Sequence, residues 1–391
     1  MKAVSEKYPN DLDAKALYAY ALFDVLEWEF WDKKAKIIPE TRLLINTLKS
    51  ILAKDKTQIG AHHYFIHVME QSPKPSDALE SARFFRTGAL GLDHLTHMPS
   101  HIYLRTGRYH EGSEVNLQAI LADQQYVKIC RAQGFSPEIN YLYFHNYDFL
   151  RYTATMEGRS RLALDAARKI VGSPLPVWIK NDPTLQWFIP MPYYVEARFG
   201  MWKSLLKEPM PKVKYLYALG MWHYAEGLAL AHIGHVKAAE KEVAKLHRII
   251  KKLGINPLFG RSSFHLLGIA EAILAATIAD RHGNEADALY FLQKALKIQH
   301  DMGYREPPDW YFPVEEALGD LYLKWQHPLD AKKMYETDLK QHPQNGWALY
   351  GLAESLRALG EESKRRQVLQ AFKKAWQYAD IPKPYRLFDN P

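Results

Sequence analysis

Gly107, Gly158, Gly234, Gly283 and Gly360 each stand between two amphipathic stretches, and this alternation restricts the fold of the 391-residue chain more than any other feature. On both sides of each break, apolar residues recur at the helical period of about 3.6, whereas the strict alternation that marks strands is scarce. A pair of amphipathic helices cannot bury its apolar face alone, so such pairs must stack on neighbours. The expected class is therefore all-α, built from antiparallel helix pairs.

Two adjoining stretches carry a resemblance. PVEEALGDLYLKWQHPLDAKKMYETDLKQHP (313–343) and NGWALYGLAESLRALG (345–360) resemble the tetratricopeptide repeat (TPR), two helices in about 34 residues with small residues where they cross. The TPR pattern puts a turn glycine at its fifteenth position and a small residue at its twentieth. Gly360 in the first role starts a unit at 346; Ala331 in the second starts one at 312, 34 residues earlier. Ala78 and Gly107 likewise start units at 59 and 93. Further units fit from 144 (Gly158, Ala163), 220 (Gly227, Gly234, Ala239) and 269 (Gly283, Ala288). The resemblance implies a TPR-like α-α superhelix, a solenoid of antiparallel helix pairs. Its organisation is expected as N-terminal repeats over 1–171, a Pro/Trp-rich connection with a short helix over 172–211, and C-terminal repeats over 212–391. The helix after Tyr109 is expected to run long, towards the loop GFSPEINY. EKYPND (6–11) reads as the tail of a repeat's second helix, so missing N-terminal repeats or a capping chain are expected.

The net charge of +7 and pI near 9.0 raise the question of nucleic acid. Lys and Arg alternate with Asp and Glu, as in KAAEKEVAKLHRIIKKLG (237–254), which is the pattern of a solvated helix face. No basic-aromatic strip accompanies it, and no nucleic-acid partner is expected. The one cysteine, Cys130, excludes an internal disulfide and a thiolate metal cage. MKAVSEKYPND lacks an apolar core, and no apolar run is expected to reach the roughly 20 residues of a membrane helix. The chain as written is expected to be soluble and cytoplasmic, with export possible if its N-terminus is truncated.

The chemistry concentrates in histidine. GAHHYFIHVMEQSPKP (60–75) places His63, His67 and Glu70 at i, i+4, i+7, one narrow face of a helix. DHLTHMPSHIYLRTGRY (93–109) places His94, His97 and His101 at i, i+3, i+7, and His145 and Asp148 stand at i, i+3 in YFHNYDFLRY. In the TPR register the first helix of each unit lines a concave groove through positions 2, 5, 9, 12 and 13. All eight residues fall on such positions, in three consecutive units. Imidazole with carboxylate suits a divalent transition metal, Zn, Fe, Mn or Cu, more than Ca or Mg. Eight groups exceed one coordination sphere, so either two ions bind or some groups orient the ligands of one. The His63–His67 spacing resembles the zincin pair without its following glutamate; Glu70 or Asp148 is then the candidate general base. Pro99 should kink the helix between His97 and His101. His62 points a quarter-turn away and is the weaker candidate, and His223, His232 and His235 read as ordinary. Glu306 and Trp310, on the loop YREPPDWYFP, and Tyr152 are candidates to reach the groove. Tyr64, Tyr103, Tyr141 and Tyr143 are expected to pack.

The blocks GAHHYFIHVMEQSPKPSDAL, HLTHMPSHIYLRTGRY, HNYDFL and EPPDWYFPVEEALGDLYL resemble a poorly characterised bacterial TPR family. Its longer members carry further N-terminal repeats, sometimes with an export signal, and tend to have a histidine where this chain has Asp148. The resemblance supplies no activity. The expected function is a metal-binding protein or a metalloenzyme, hydrolase or oxidoreductase. The alternative is a non-catalytic scaffold holding a peptide or protein in the groove. TPR domains that grip acidic peptide ends do so with Lys, Arg and Asn, and this groove offers histidine and carboxylate instead.

Overall fold

The computed structural model describes residues 1–32, 36–88, 91–135, 141–172, 175–254 and 262–389, with side chains omitted at 141 and 142. The helices run in order as α1 (Lys2–Lys7), α2 (Leu12–Val25), α3 (Pro39–Leu52), α4 (Ile59–Glu70), α5 (Leu79–Gly88), α6 (Asp93–His97), α7 (Pro99–Arg105), α8 (Tyr109–Ala132) and α9 (Tyr141–Met156). They continue as α10 (Ser160–Val171), α11 (Leu175–Trp178), α12 (Met191–Arg198), α13 (Trp202–Leu205), α14 (Leu216–His232), α15 (Val236–Leu253), α16 (Ser263–Arg281) and α17 (Glu285–Asp301). The last are α18 (Val314–Lys324), α19 (Pro328–Gln341), α20 (Gly346–Ala358) and α21 (Glu362–Ala375). Among the described residues there is no strand beyond an isolated bridge between Trp31 and Ile37. The fold is all-α and TPR-like.

The five turn glycines share one geometry, with φ between 72° and 88°. After each, the next residue's N–H bonds the carbonyl five positions back: Arg108 to Tyr103, Arg159 to Ala154, His235 to Leu230, Asn284 to Ala279, Glu361 to Leu356. That is the Schellman closure, and it needs a left-handed residue that glycine adopts without strain. The second helix then folds back on the first.

Two compact units result, Met1–Asn146 and Tyr147–Pro391. In the first, α2 packs on α3, α4 on α5, and α6 and α7 on α8. α8 is the long second helix expected from the sequence, 24 residues. Pro99 divides the preceding helix into α6 and α7 at Met98, and Thr106, Gly107 and Arg108 close α7.

In the second unit the first helix of each pair is buried on nearly all sides, including α16, where Leu266, Ile269, Ala270, Ile273, Leu274 and Ile278 are enclosed. Contrary to the sequence expectation, this helix is long and apolar enough to cross a bilayer, but here it packs against α14, α15 and α17 as a core element. The second helices are amphipathic, as α15 buries only Ala239, Glu242, Leu246 and Ile249. Tyr335 of α19 lies between Gly319 of α18 and Gly351 of α20, where any Cβ would overlap its ring, and its hydroxyl donates to Asp320 (2.7 Å). The Pro/Trp-rich stretch is built into this unit: Trp187 stacks on Tyr217 (5.3 Å), and Gln186 Oε1 accepts from the Tyr217 N–H at the start of α14 (3.0 Å). The C-terminal segment returns to α10, where Asp380 accepts from Ser160 N and Oγ (2.8 and 2.7 Å).

Candidate metal centre

α4 lies against α7, and Arg105 fixes the contact by donating from Nε to the Glu70 carbonyl at the end of α4 (2.9 Å). That docking carries residues 30 to 40 positions apart into one cluster. Ring centroids stand 4.9 Å apart for His63 and His67, 4.9 Å for His63 and His94, and 5.1 Å for His67 and His101. They are 4.8 Å apart for His97 and His101 and 4.7 Å for His97 and His145. Six imidazoles thus form one contiguous ribbon in the first unit. Two separate trios, His63–His67–His94 and His97–His101–His145, each keep one donor atom per residue within 4.8 Å of the others. His67, Glu70 and His101 form a third such group that overlaps both. His67, His97, His101 and Glu70 are buried, while His63, His94 and His145 are partly open.

The hydrogen bonds decide which ring nitrogens carry lone pairs. Asn116 Nδ2 donates to the Gly112 carbonyl (2.7 Å), which orients the amide and leaves Oδ1 to accept from His97 Nδ1 (2.6 Å). His97 therefore bears its proton on Nδ1, and Nε2 is a lone pair. His101 Nδ1 stands 2.6 Å from Glu70 Oε2, off the straight line of a full hydrogen bond but at a distance only a protonated nitrogen tolerates beside a carboxylate. His97 Nε2 and His101 Nε2 face each other at 3.0 Å. Two imidazole nitrogens on one tetrahedral ion, at zinc–nitrogen distances of ~2.0–2.1 Å, stand about 3.3 Å apart. His63 Nε2 and His94 Nε2 make a similar approach of 2.9 Å.

Burial, then the neighbouring His67, His94 and His101, push His63 down to about 2. Burial likewise takes His94 to about 4, with His67 and His101 adding to it. His97 falls well below the ordinary imidazole value through burial and the rings of His145 and His101. Burial lowers His67 despite Glu70 beside it. Burial alone would raise the Glu70 carboxyl, but His101 and His67 outweigh it and hold it below the usual carboxylate range. At neutral pH, His63, His67, His94 and His97 are uncharged and Glu70 is ionised, the forms that bind metal.

Asp148 falls in the second unit, and its Oδ1 is engaged one helical turn on by Arg151, with Nε at 2.8 Å and Nη2 at 2.7 Å. His62 is a core histidine: its ring bonds Ser81 Oγ (2.8 Å) and the Lys56 carbonyl (2.9 Å) and stacks on Phe84 (4.2 Å). His223 pairs with Glu242 (2.6 Å), a carboxylate the sequence reading had not assigned to it, and His232 stacks on Trp202 (4.1 Å). His235 begins α15. Trp310, Tyr103 and Tyr152 are buried, Tyr64 stacks on Tyr20, Tyr143 meets Phe144 edge-on, and Glu306 accepts from the Tyr304 hydroxyl. The side chain of Tyr141 lies outside the described residues. Cys130 is free and partly buried.

The sequence reading missed Asn116, Ser100 (Oγ 3.3 Å from His97 Nδ1) and Arg105. Asn116 sits on the second helix of its pair, off the groove positions; the available signal is an amide on the helix face that also carries Gly112, Ala119 and Ile120, all buried. The indole of Trp28 meets His67 edge-on at 4.9 Å, forming part of the wall.

No protein-family model matches the chain, and no curated protein matches it. Among solved structures, the crystal structure of the P58(IPK) TPR domain aligns over 93% of each chain at 12% identity, with a TM-score of 0.25. That score is too low to bear on function.

Proposed function

We propose that the first unit binds a divalent transition metal through its histidine ribbon, and that this chain is a metal-binding, TPR-like helical repeat protein. The observation that supports the reading is the convergence of ring nitrogens from His97, His101 and His145 within 4.8 Å of one another, with His97 Nε2 and His101 Nε2 at 3.0 Å and the far nitrogens of those two rings held by Asn116 and beside Glu70. Imidazoles outnumber carboxylates six to one among the grouped residues, which favours Zn or Cu over harder ions. Three protein ligands leave a fourth position for water or a substrate oxygen, the arrangement of hydrolytic zinc sites. Elemental analysis of the purified chain tests the proposal. Stoichiometric metal in the wild type, lost in His67→Ala plus His97→Ala with the helical content kept, is the expected result. No metal from any growth medium, with melting unchanged by chelator, overturns it.

A partner-binding scaffold is the second reading. It is favoured by a cavity of about 630 Å³ in the second unit, where Val243, Ala272 and Phe291 form an apolar floor and Glu240, Arg248 and Lys294 a charged rim.

A further inference from the structure

The ribbon divides unequally, and the division carries more than the presence of a metal. The trio His97–His101–His145 is supported from behind. His97 Nδ1 is held by Asn116 Oδ1 (2.6 Å), with Ser100 Oγ at 3.3 Å, and His101 Nδ1 stands 2.6 Å from Glu70. Asn116 is itself locked by Gly112, and Glu70 is buried. The trio His63–His67–His94 lacks that support: the Nδ1 atoms of His67 and His94 are buried with no hydrogen-bond partner, and Glu70 stands 3.6 Å from His67. No imidazole belongs to both trios. Second-layer hydrogen bonds fix ring orientation and raise ligand basicity, and losing one typically costs ~10–100-fold in affinity.

We infer that the cluster holds two ions, a tight one at His97–His101–His145 and a weaker, more exchangeable one at the partly open His63–His67–His94, with Glu70 between them. This inference rests on the metal reading above. The weaker position is the one that meets an incoming ligand, because two of its three rings are partly exposed. The buried position draws its ligands from α6, α7 and the start of α9.

The test is a calorimetric titration of the metal-stripped full chain with Zn²⁺. Two equivalents are expected, the first bound at least ~10-fold more tightly than the second. His63→Gln should remove only the weaker step and His145→Gln only the tighter one, each with unchanged helical circular dichroism. If a variant fails to fold, the order is read in the wild type from histidine side-chain NMR, where the first equivalent should shift His97, His101 and His145 before the others. A ratio of one ion, with all six rings shifting together, overturns the two-ion inference but leaves the metal reading standing. Two equal steps, or the reverse order, overturn the assignment of tight and weak sites. No binding overturns both.

Discussion

Asn116→Ala isolates the smallest part of this arrangement that the argument depends on. The substitution removes the acceptor 2.6 Å from His97 Nδ1 and replaces no proposed ligand. Two effects on the metal-free protein nearly cancel. A buried N–H left without its partner costs about 1–3 kcal/mol, at the low end here because Ser100 Oγ stands 3.3 Å away. Replacing asparagine with alanine inside α8 returns roughly 0.5 kcal/mol of helix propensity. The apo protein should therefore lose only ~0.5 kcal/mol. Metal affinity should fall further, by ~10–100-fold or about 1.4–2.7 kcal/mol, because His97 is no longer held with its lone pair on Nε2. Asn116→Asp keeps an acceptor and adds charge, so it should bind at least as tightly as the wild type. The assay is competition for Zn²⁺ against a chromophoric chelator, with circular dichroism as the fold control. An alanine variant that is folded and binds within threefold of the wild type would refute the tautomer argument.

Chelation of the metal-loaded chain should lower the melting point of the first unit by ~5–10 °C when free metal stood near 100 times Kd, from ~2.7 kcal/mol of linkage; an unchanged melt would contradict it. Acid should weaken the second unit through His232, whose pKa burial, then Arg281 and Lys324, take down to about 3. Its folded value lies below the unfolded ~6.5, so the stabilisation is complete above pH 6.5 and is lost as pH falls towards 3, about 2 kcal/mol between pH 7 and 5. His232→Gln should flatten that part of the stability–pH curve, read by urea unfolding at both pH values. Gly351→Ala should lower the urea midpoint, since its Cβ would stand 2.2 Å from Tyr335 Cζ; overpacking of about 1–3 kcal/mol outweighs a helix gain of ~1. A rise in the midpoint would show that Tyr335 moves aside at no cost.

The turns between paired helices were legible because they depend on local rules. A left-handed turn residue and a small crossing residue recur at fixed offsets, and the five glycines named from the sequence close five identical turns. Helical periodicity likewise put His63, His67 and Glu70 on one face. Asp148 shows where that logic stopped. It shares a face with His145, and its Oδ1 is also held by Arg151 at i+3, a competing partner that a groove register does not weigh. The run in α16 shows another limit: composition alone does not separate a bilayer-length helix from one enclosed by its neighbours.

The sequence by itself determined the helices, their pairing and the residue types on each face, because those follow from backbone sterics and apolar periodicity a few residues apart. Only the tertiary structure decided which imidazoles share a trio, which nitrogen of His97 carries the proton, and that Asn116 holds it there. Those outcomes depend on how α4, α7, α8 and α9 approach one another, and contacts between residues 19 to 48 positions apart leave no periodic trace in the chain.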